Sequence, residues 1–165
     1  MHFHMGSWII HSSHGLGKIA GLVEKQLDGQ SQKYYVVELN NQTTLWVPVK
    51  RGDEGSLRLP TPKSEFEHLF SILQLPGELL PEDRYLRQKE LAERMRLGTT
   101  EAICGVIRDL SSHGHRHKSN DHDTTVLHRA REFLISEWVF SLNVPPSKAE
   151  IDLNALLKGN KAVPT

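Results

Sequence analysis

Tyr34-Tyr35-Val36-Val37-Glu38-Leu39, then Asn40-Asn41, then Thr44-Leu45-Trp46-Val47-Pro48-Val49, is the stretch that decides the fold. Both runs are rich in the β-branched and aromatic residues that fit a pleated surface. Side chains alternate along a strand, so Tyr34, Val36 and Glu38 share one face and Tyr35, Val37 and Leu39 the other. Asparagine tolerates the left-handed backbone of a tight turn, so the spacing predicts a β-hairpin. Working backwards, Gly6–His11 predicts a strand and Ser12-Ser13-His14-Gly15 a turn. Gly17–Lys25 predicts a second strand, whose small residues mark a bend or bulge. Asp28-Gly29 is a hairpin signal just before the Tyr34 strand. Four short strands with tight turns predict a small, strongly bent sheet or barrel.

Working forwards, the pattern changes to helix. Arg51–Pro62 is polar, rich in Gly and Pro, and reads as a connector. Ser64-Glu65-Phe66-Glu67 has the form of a capping box; Phe66, Leu69, Phe70 and Leu73 follow at helical spacing until Pro76-Gly77. A short linker, Glu78–Pro81, leads to a helix over Glu82–Leu97, with acidic Glu82 and Asp83 in its first turn, Arg94 and Arg96 in its last, and Gly98 closing it. Thr99 or Thr100 caps the next helix, whose Ile103, Val106, Ile107 and Leu110 form one stripe. Ser111–Asp123 reads as a polar loop. The longest helix, Thr124–Leu142, is apolar over most of its girth and is expected to be the central element. Pro145-Pro146 ends that segment, and Ser147-Lys148-Ala149-Glu150 is a second capping box opening a last helix with Ile151, Leu153, Leu156 and Leu157. The fold class is α+β: a bent sheet over residues 1–60, a connector with a short helix over 61–77, and a helical domain over 78–165.

Composition narrows the function. The 165 residues are 38% hydrophobic and 24% charged, which suits a folded chain rather than a disordered one. Lys+Arg and Asp+Glu both number 20, so there is no global positive field of the kind that holds a protein to nucleic acid by charge alone. Any DNA contact is expected to be weak and local. The lone Cys104 excludes an internal disulfide framework and points to a reducing compartment. The start, Met1-His2-Phe3-His4, lacks the features of a signal peptide, and no apolar run approaches a membrane span. The expectation is a cytoplasmic protein with no membrane contact.

Enzymatic chemistry finds little support. There is no Gly-x-Ser-x-Gly elbow and no phosphate-binding loop; Gly15-Leu16-Gly17 precedes a strand. Cys104 falls within an apolar helix and is expected to be buried and inert. His113, His115, His117, Asp121, His122 and Asp123 offer metal-ligand chemistry, but without cysteine partners or a His-Glu-x-x-His motif they read as a polar loop. His11 and His14 occupy turn positions and read as structural. No catalytic residue, cofactor, metal or small-molecule substrate is expected.

Six pieces of the chain, in order, resemble the CarD/CdnL family of bacterial RNA polymerase-binding regulators. Gly6-Ser7-Trp8-Ile9-Ile10-His11-Ser12-Ser13-His14-Gly15-Leu16-Gly17 is similar to the family's opening pattern. Tyr34-Tyr35-Val36-Val37 and Val47-Pro48-Val49 resemble its next two strands, and Gly55-Ser56-Leu57-Arg58 the element after its sheet. Val106-Ile107-Arg108-Asp109-Leu110 and Ala130–Glu137 resemble two of its helices. The resemblance implies a Tudor-like N-terminal domain that binds the polymerase β subunit, shared with the transcription-repair coupling factor. It also implies a helical domain that contacts promoter DNA at the upstream edge of the melted region and modulates open-complex stability.

Two departures stand out. The family's wedge tryptophan falls near Arg84, whereas the tryptophans here are Trp8, Trp46 and Trp138, so the wedge is absent or replaced by Tyr85. The family's basic linker is replaced by the histidine-rich Ser111–His117. With the resemblance in view, Lys25, Tyr35 and Trp46 are candidates for the polymerase contact, decorating an exposed sheet edge; the competing reading makes Trp46 and the tyrosines core. Arg87 with Arg94, and Lys89 with Arg96, are seven apart and form two basic rails beside Tyr85, Leu91, Ala92 and Met95. Such rails suit phosphates, while Arg84 suits a narrow minor groove. Arg108, Arg129 and Arg131 are further cations, Arg108 pairing with Asp109 in a structural alternative. A solvated amphipathic helix is the competing reading of the rails. A helical domain that binds another protein rather than DNA is the alternative function.

Overall fold

The computed structural model describes residues 3–49, 56–118 and 120–158. It divides into two compact units at Pro60/Thr61.

The first unit is a five-stranded antiparallel sheet. Its strands are β1 (Trp8–His11), β2 (Gly15–Leu27), β3 (Gln30–Leu39), β4 (Thr44–Pro48) and β5 (Leu57–Arg58), in the order β4-β3-β2-β1-β5. Asp28 and Gly29 both take positive φ (53° and 76°) and close the β2–β3 hairpin in two residues, as the dipeptide requires. The β3–β4 turn differs from expectation. Gln42, not an asparagine, holds the left-handed position (φ 65°), while Asn41 accepts the Thr43 N–H through its side chain. A bulge falls at Ala20, where the register with β3 shifts between Ile19 and Gly21. It reverses which residues of β2 face inwards, because the side-chain period along a strand is two. Before it Ile19 is buried and Lys18 exposed; beyond it Leu22 pairs with buried Tyr35 and Val23 with the outer-face Tyr34. Ile9, Ile19, Tyr35, Val37, Leu39, Val47 and Leu57 form the core, with Phe3 packed edge-on against Tyr35.

The 51–62 connector was expected to be irregular, yet β5 forms within it and pairs with His11 and Ile10 of β1. Two residues carry no periodic signal, and only the exposed edge of β1 makes them a strand.

The second unit holds α1 (Phe66–Gln74), α2 (Arg84–Leu97), α3 (Thr100–Arg116), α4 (Asp121–Leu142) and α5 (Pro146–Lys158), with a 3-10 turn at Lys63–Glu65 leading into α1. Three boundary signals act as the sequence reads: Thr99 accepts the Ala102 N–H, Gly98 adopts φ 68°, and no helix runs through Pro76-Gly77. The start of α2 differs: Glu82 and Asp83, expected within its first turn, precede it, and Asp83 caps it, its Oδ1 accepting the Leu86 N–H. The two capping boxes do not form. Ser64 lies in the 3-10 turn and α1 has no side-chain cap; α5 starts at Pro146, and the Pro145 carbonyl accepts the Lys148 and Ala149 N–H groups. Proline at the first helical position needs no donor, which sets that start.

The polar loop expected over 111–123 is mostly helix. The α3 ladder runs on to Arg116, and Asn120 caps α4 by accepting the Asp123 N–H. Ser112 is buried at a close approach of Gly77, so packing overrides the weak helix preference of Ser, His and Gly there. The central element is α3 rather than α4: every residue from Ile103 to Leu110 is buried, and α3 packs against α1, α2 and α4. Trp138 of α4 lies against Phe70 and Phe66 of α1, which therefore belongs to the helical core. None of the described helices is long and apolar enough to cross a membrane.

Candidate functional site

On the outer face of the sheet, cross-strand pairing sets three rows: Gly21–Val36–Trp46, Val23–Tyr34–Pro48 and Lys25–Gln32. Trp46 is 44% exposed on β4, an edge strand paired only with β3 among the described residues. The Lys25 ammonium lies 4.1 Å from the Trp46 ring centre, and the Tyr34 ring centre is 6.0 Å from it. Two of the three residues expected at a partner surface thus meet in one cation–π contact. Tyr35 does not join them. It is buried, and its hydroxyl accepts the Phe3 N–H at 3.2 Å. Odd positions of β3 point into the core, so Tyr34 takes the outer place. The alternation pointed to Tyr34, but only the register with β4 sets it beside Trp46. A second cation–π pair, Lys18 over Trp8 at 5.4 Å, lies on the same face.

In the helical unit, α2 carries most of the expected basic residues. Lys89 and Arg96, seven apart, are exposed on one face with Tyr85, and Arg84 is exposed at the helix start. Tyr85 is 73% exposed and Leu86 half exposed; Leu79, just before the helix, is 78% exposed. The sequence reading passed over Leu79 and Leu86, because an isolated leucine carries no signal of which way it faces.

The other rail turns inwards. Arg87 is 6% exposed; its Nε donates to Asp123 Oδ2 at 3.1 Å, its Nη2 lies 3.0 Å from the same oxygen in an ion pair, and its Nη1 donates to the Pro81 and Glu82 carbonyls. Arg94 Nη2 donates to Asp109 Oδ2 at 2.8 Å. Asp109 is fully buried and also accepts from Arg108 Nε and the Glu78 N–H, each at 2.8 Å. Two basic rails were expected to flank an inward apolar stripe; Arg87 and Arg94 instead lie beside buried Leu91, because carboxylates of α3 and α4 wait beneath them. Arg131 is also engaged, donating to Glu150 and Asn154 of α5 at 2.8 Å.

The histidines flank this region. His113 and His117, one turn apart, stack at 4.2 Å. A cavity of about 280 Å³ is lined by His113, His115, Asp123 and Thr124. The His113 pKa is lowered, first by burial, then by His117 and Arg87, with Asp123 and Glu82 opposing. Among the described residues no three ligating side chains group to hold a metal ion. Cys104 is buried in α3 and its thiol is pushed up to about 12, chiefly by burial.

Comparison with known proteins accounts for both units. Residues 3–59 match the CarD-like/TRCF RID domain, and residues 68–154 match the CarD C-terminal domain. The chain is 30% identical over 139 residues to a Bacillus subtilis (strain 168) protein named "Putative transcription factor YdeB", covering 82% of this chain and 89% of that one. With both of its units matched in order and a relative matched over most of both chains, the chain belongs to the CarD-like family of transcription regulators.

Proposed function

We propose that this chain is a non-enzymatic regulator that docks on the β subunit of bacterial RNA polymerase through its sheet and brings α2 against promoter DNA, where it modulates the stability of the open complex. The observation that carries this reading is the Lys25–Trp46–Tyr34 cluster beside the edge strand β4. An unpaired edge accepts a partner strand through main-chain hydrogen bonds, and an exposed tryptophan flanked by a cation is a typical hot spot. On α2, Arg84, Tyr85, Lys89 and Arg96 form the DNA-facing set. A chain with equal numbers of acidic and basic residues has weak intrinsic affinity for DNA, and docking on polymerase raises the local concentration enough for a few cations to act.

The test is capture of RNA polymerase core by the full-length chain and by Trp46→Ala. Retention by the native protein and loss in the variant is the expected outcome. Equal capture by both would remove the cluster from the interface. A second reading, in which the helical unit meets a protein, draws on the exposed Leu79, Tyr85 and Leu86. It predicts that DNA binding is absent even at low salt.

A further inference from the structure

We infer that Arg87 and Arg94 are positioning residues, each holding α2 onto a buried carboxylate and so setting the pose of the exposed Arg84, Tyr85, Lys89 and Arg96. The inference rests on the DNA reading of α2 given above and divides its cations into two kinds.

The geometry is a two-point clamp. At the start of α2, Arg87 reaches Asp123 on α4 and also gathers the Pro81 and Glu82 carbonyls, fixing the chain that enters the helix. Seven residues later, Arg94 reaches Asp109 on α3, which also holds the Glu78 N–H. Both arginines lie on one side of α2, and between them the only fully buried apolar side chain of the helix is Leu91. One leucine is a small apolar anchor for a 14-residue helix, so the ion pairs carry much of its placement. Guanidinium suits that task because its planar fork fixes direction as well as distance.

Gly105 completes the second point. Arg94 crosses α3 where Gly105 has no side chain; a Cβ there would lie 2.7 Å from Arg94 Nη2. Glycine inside a helix costs stability relative to alanine. At this position the gap admits the guanidinium on its way to Asp109.

The two roles predict opposite signs. If Arg87 contacted phosphate, Asp123→Asn would release it and remove a negative charge, and DNA binding would tighten. If Arg87 positions α2, the same change loosens the helix and binding weakens. Asp109→Asn applies the same test at the other point, where it would release Arg94.

The experiment uses the full chain and a fluorescent duplex with a short unpaired bubble, titrated by anisotropy over a range of salt, together with amide exchange of residues 84–97 in the free protein. Expected for both Asp123→Asn and Asp109→Asn is binding about tenfold weaker, equivalent to about 1.4 kcal/mol, with an unchanged salt slope and faster exchange along α2. Lys89→Ala, which removes an exposed cation, is expected to lower the slope by about 0.9. Tighter binding by Asp123→Asn, or exchange in both variants equal to native, overturns the inference. If the native chain binds no DNA even at low salt, the DNA reading fails by itself; the exchange arm then decides the clamp.

Discussion

Asp109 is the side chain on which the helical unit can be tested most sharply. Its carboxylate is fully buried and accepts three hydrogen bonds, from Arg94, Arg108 and the Glu78 N–H, all at 2.8 Å. Asp109→Ala removes all three. Arg108, with a side chain only 9% exposed, is left with a Glu78 carboxylate at 3.9 Å and the Ile72 carbonyl at 3.5 Å. Arg94 is more exposed and recovers part of its hydration. Removing one partner of a buried ion pair costs roughly 3–5 kcal/mol, and a domain of this kind has about 5–15 kcal/mol in hand. Asp109→Asn keeps one carbonyl acceptor and is expected to lose about half as much. The assay is urea unfolding followed by Trp138 emission in a Trp8→Phe, Trp46→Phe background. Trp138 is buried in the helical core, so its signal reports on that unit alone. A loss below about 1 kcal/mol for Asp109→Ala would refute the claim that this carboxylate joins α2, α3 and the 75–83 segment.

Two further outcomes follow. In the sheet, a Cβ at Gly17 would lie 2.8 Å from Val37 Cγ1 and 3.0 Å from the Glu38 carbonyl, so Gly17→Ala is expected to destabilise that unit by about 1–3 kcal/mol, read as a lower urea midpoint on Trp46 emission in a Trp8→Phe, Trp138→Phe background. The lowered pKa of His113 means that the unfolded chain binds more protons than the folded one as pH falls through the usual histidine value of 6.5. Stability contributed by this group is therefore present above pH 6.5 and is lost on acidification. The Tm of the helical unit should fall between pH 7.5 and 5.5, and His113→Asn should flatten that dependence; a variant with the native slope would refute it.

Much of the fold was legible because its signals are local. Alternation over Tyr34–Leu39, the Asp28-Gly29 turn, the small residues around Ala20, the Thr99 cap and Gly98 each act through neighbours a few residues away. The same locality explains the failures. Leu57-Arg58 is a strand only because the edge of β1 receives it, and Ser111–Arg116 is helical with Ser112 packed beneath Gly77. The Ser64 and Ser147 boxes were outcompeted by a 3-10 turn and by Pro146.

The candidate site divides along that line. From the sequence alone came the basic residues of α2 and their seven-residue spacing, the lysine and tryptophan that meet on the sheet, and the order of the two units. Tertiary structure decided which cations remain for a partner. Arg87 and Arg94 share a face by helical period, but that face turns inwards because Asp123 and Asp109, 36 and 15 residues further along the chain, come to lie beneath it. It also decided that Tyr34 rather than Tyr35 stands beside Trp46, since the burial of one face of β3 and the register with β4 fix both places at once. Spacing along a chain fixes which residues share a face; the direction of that face depends on groups far away in sequence, and only packing brings them together.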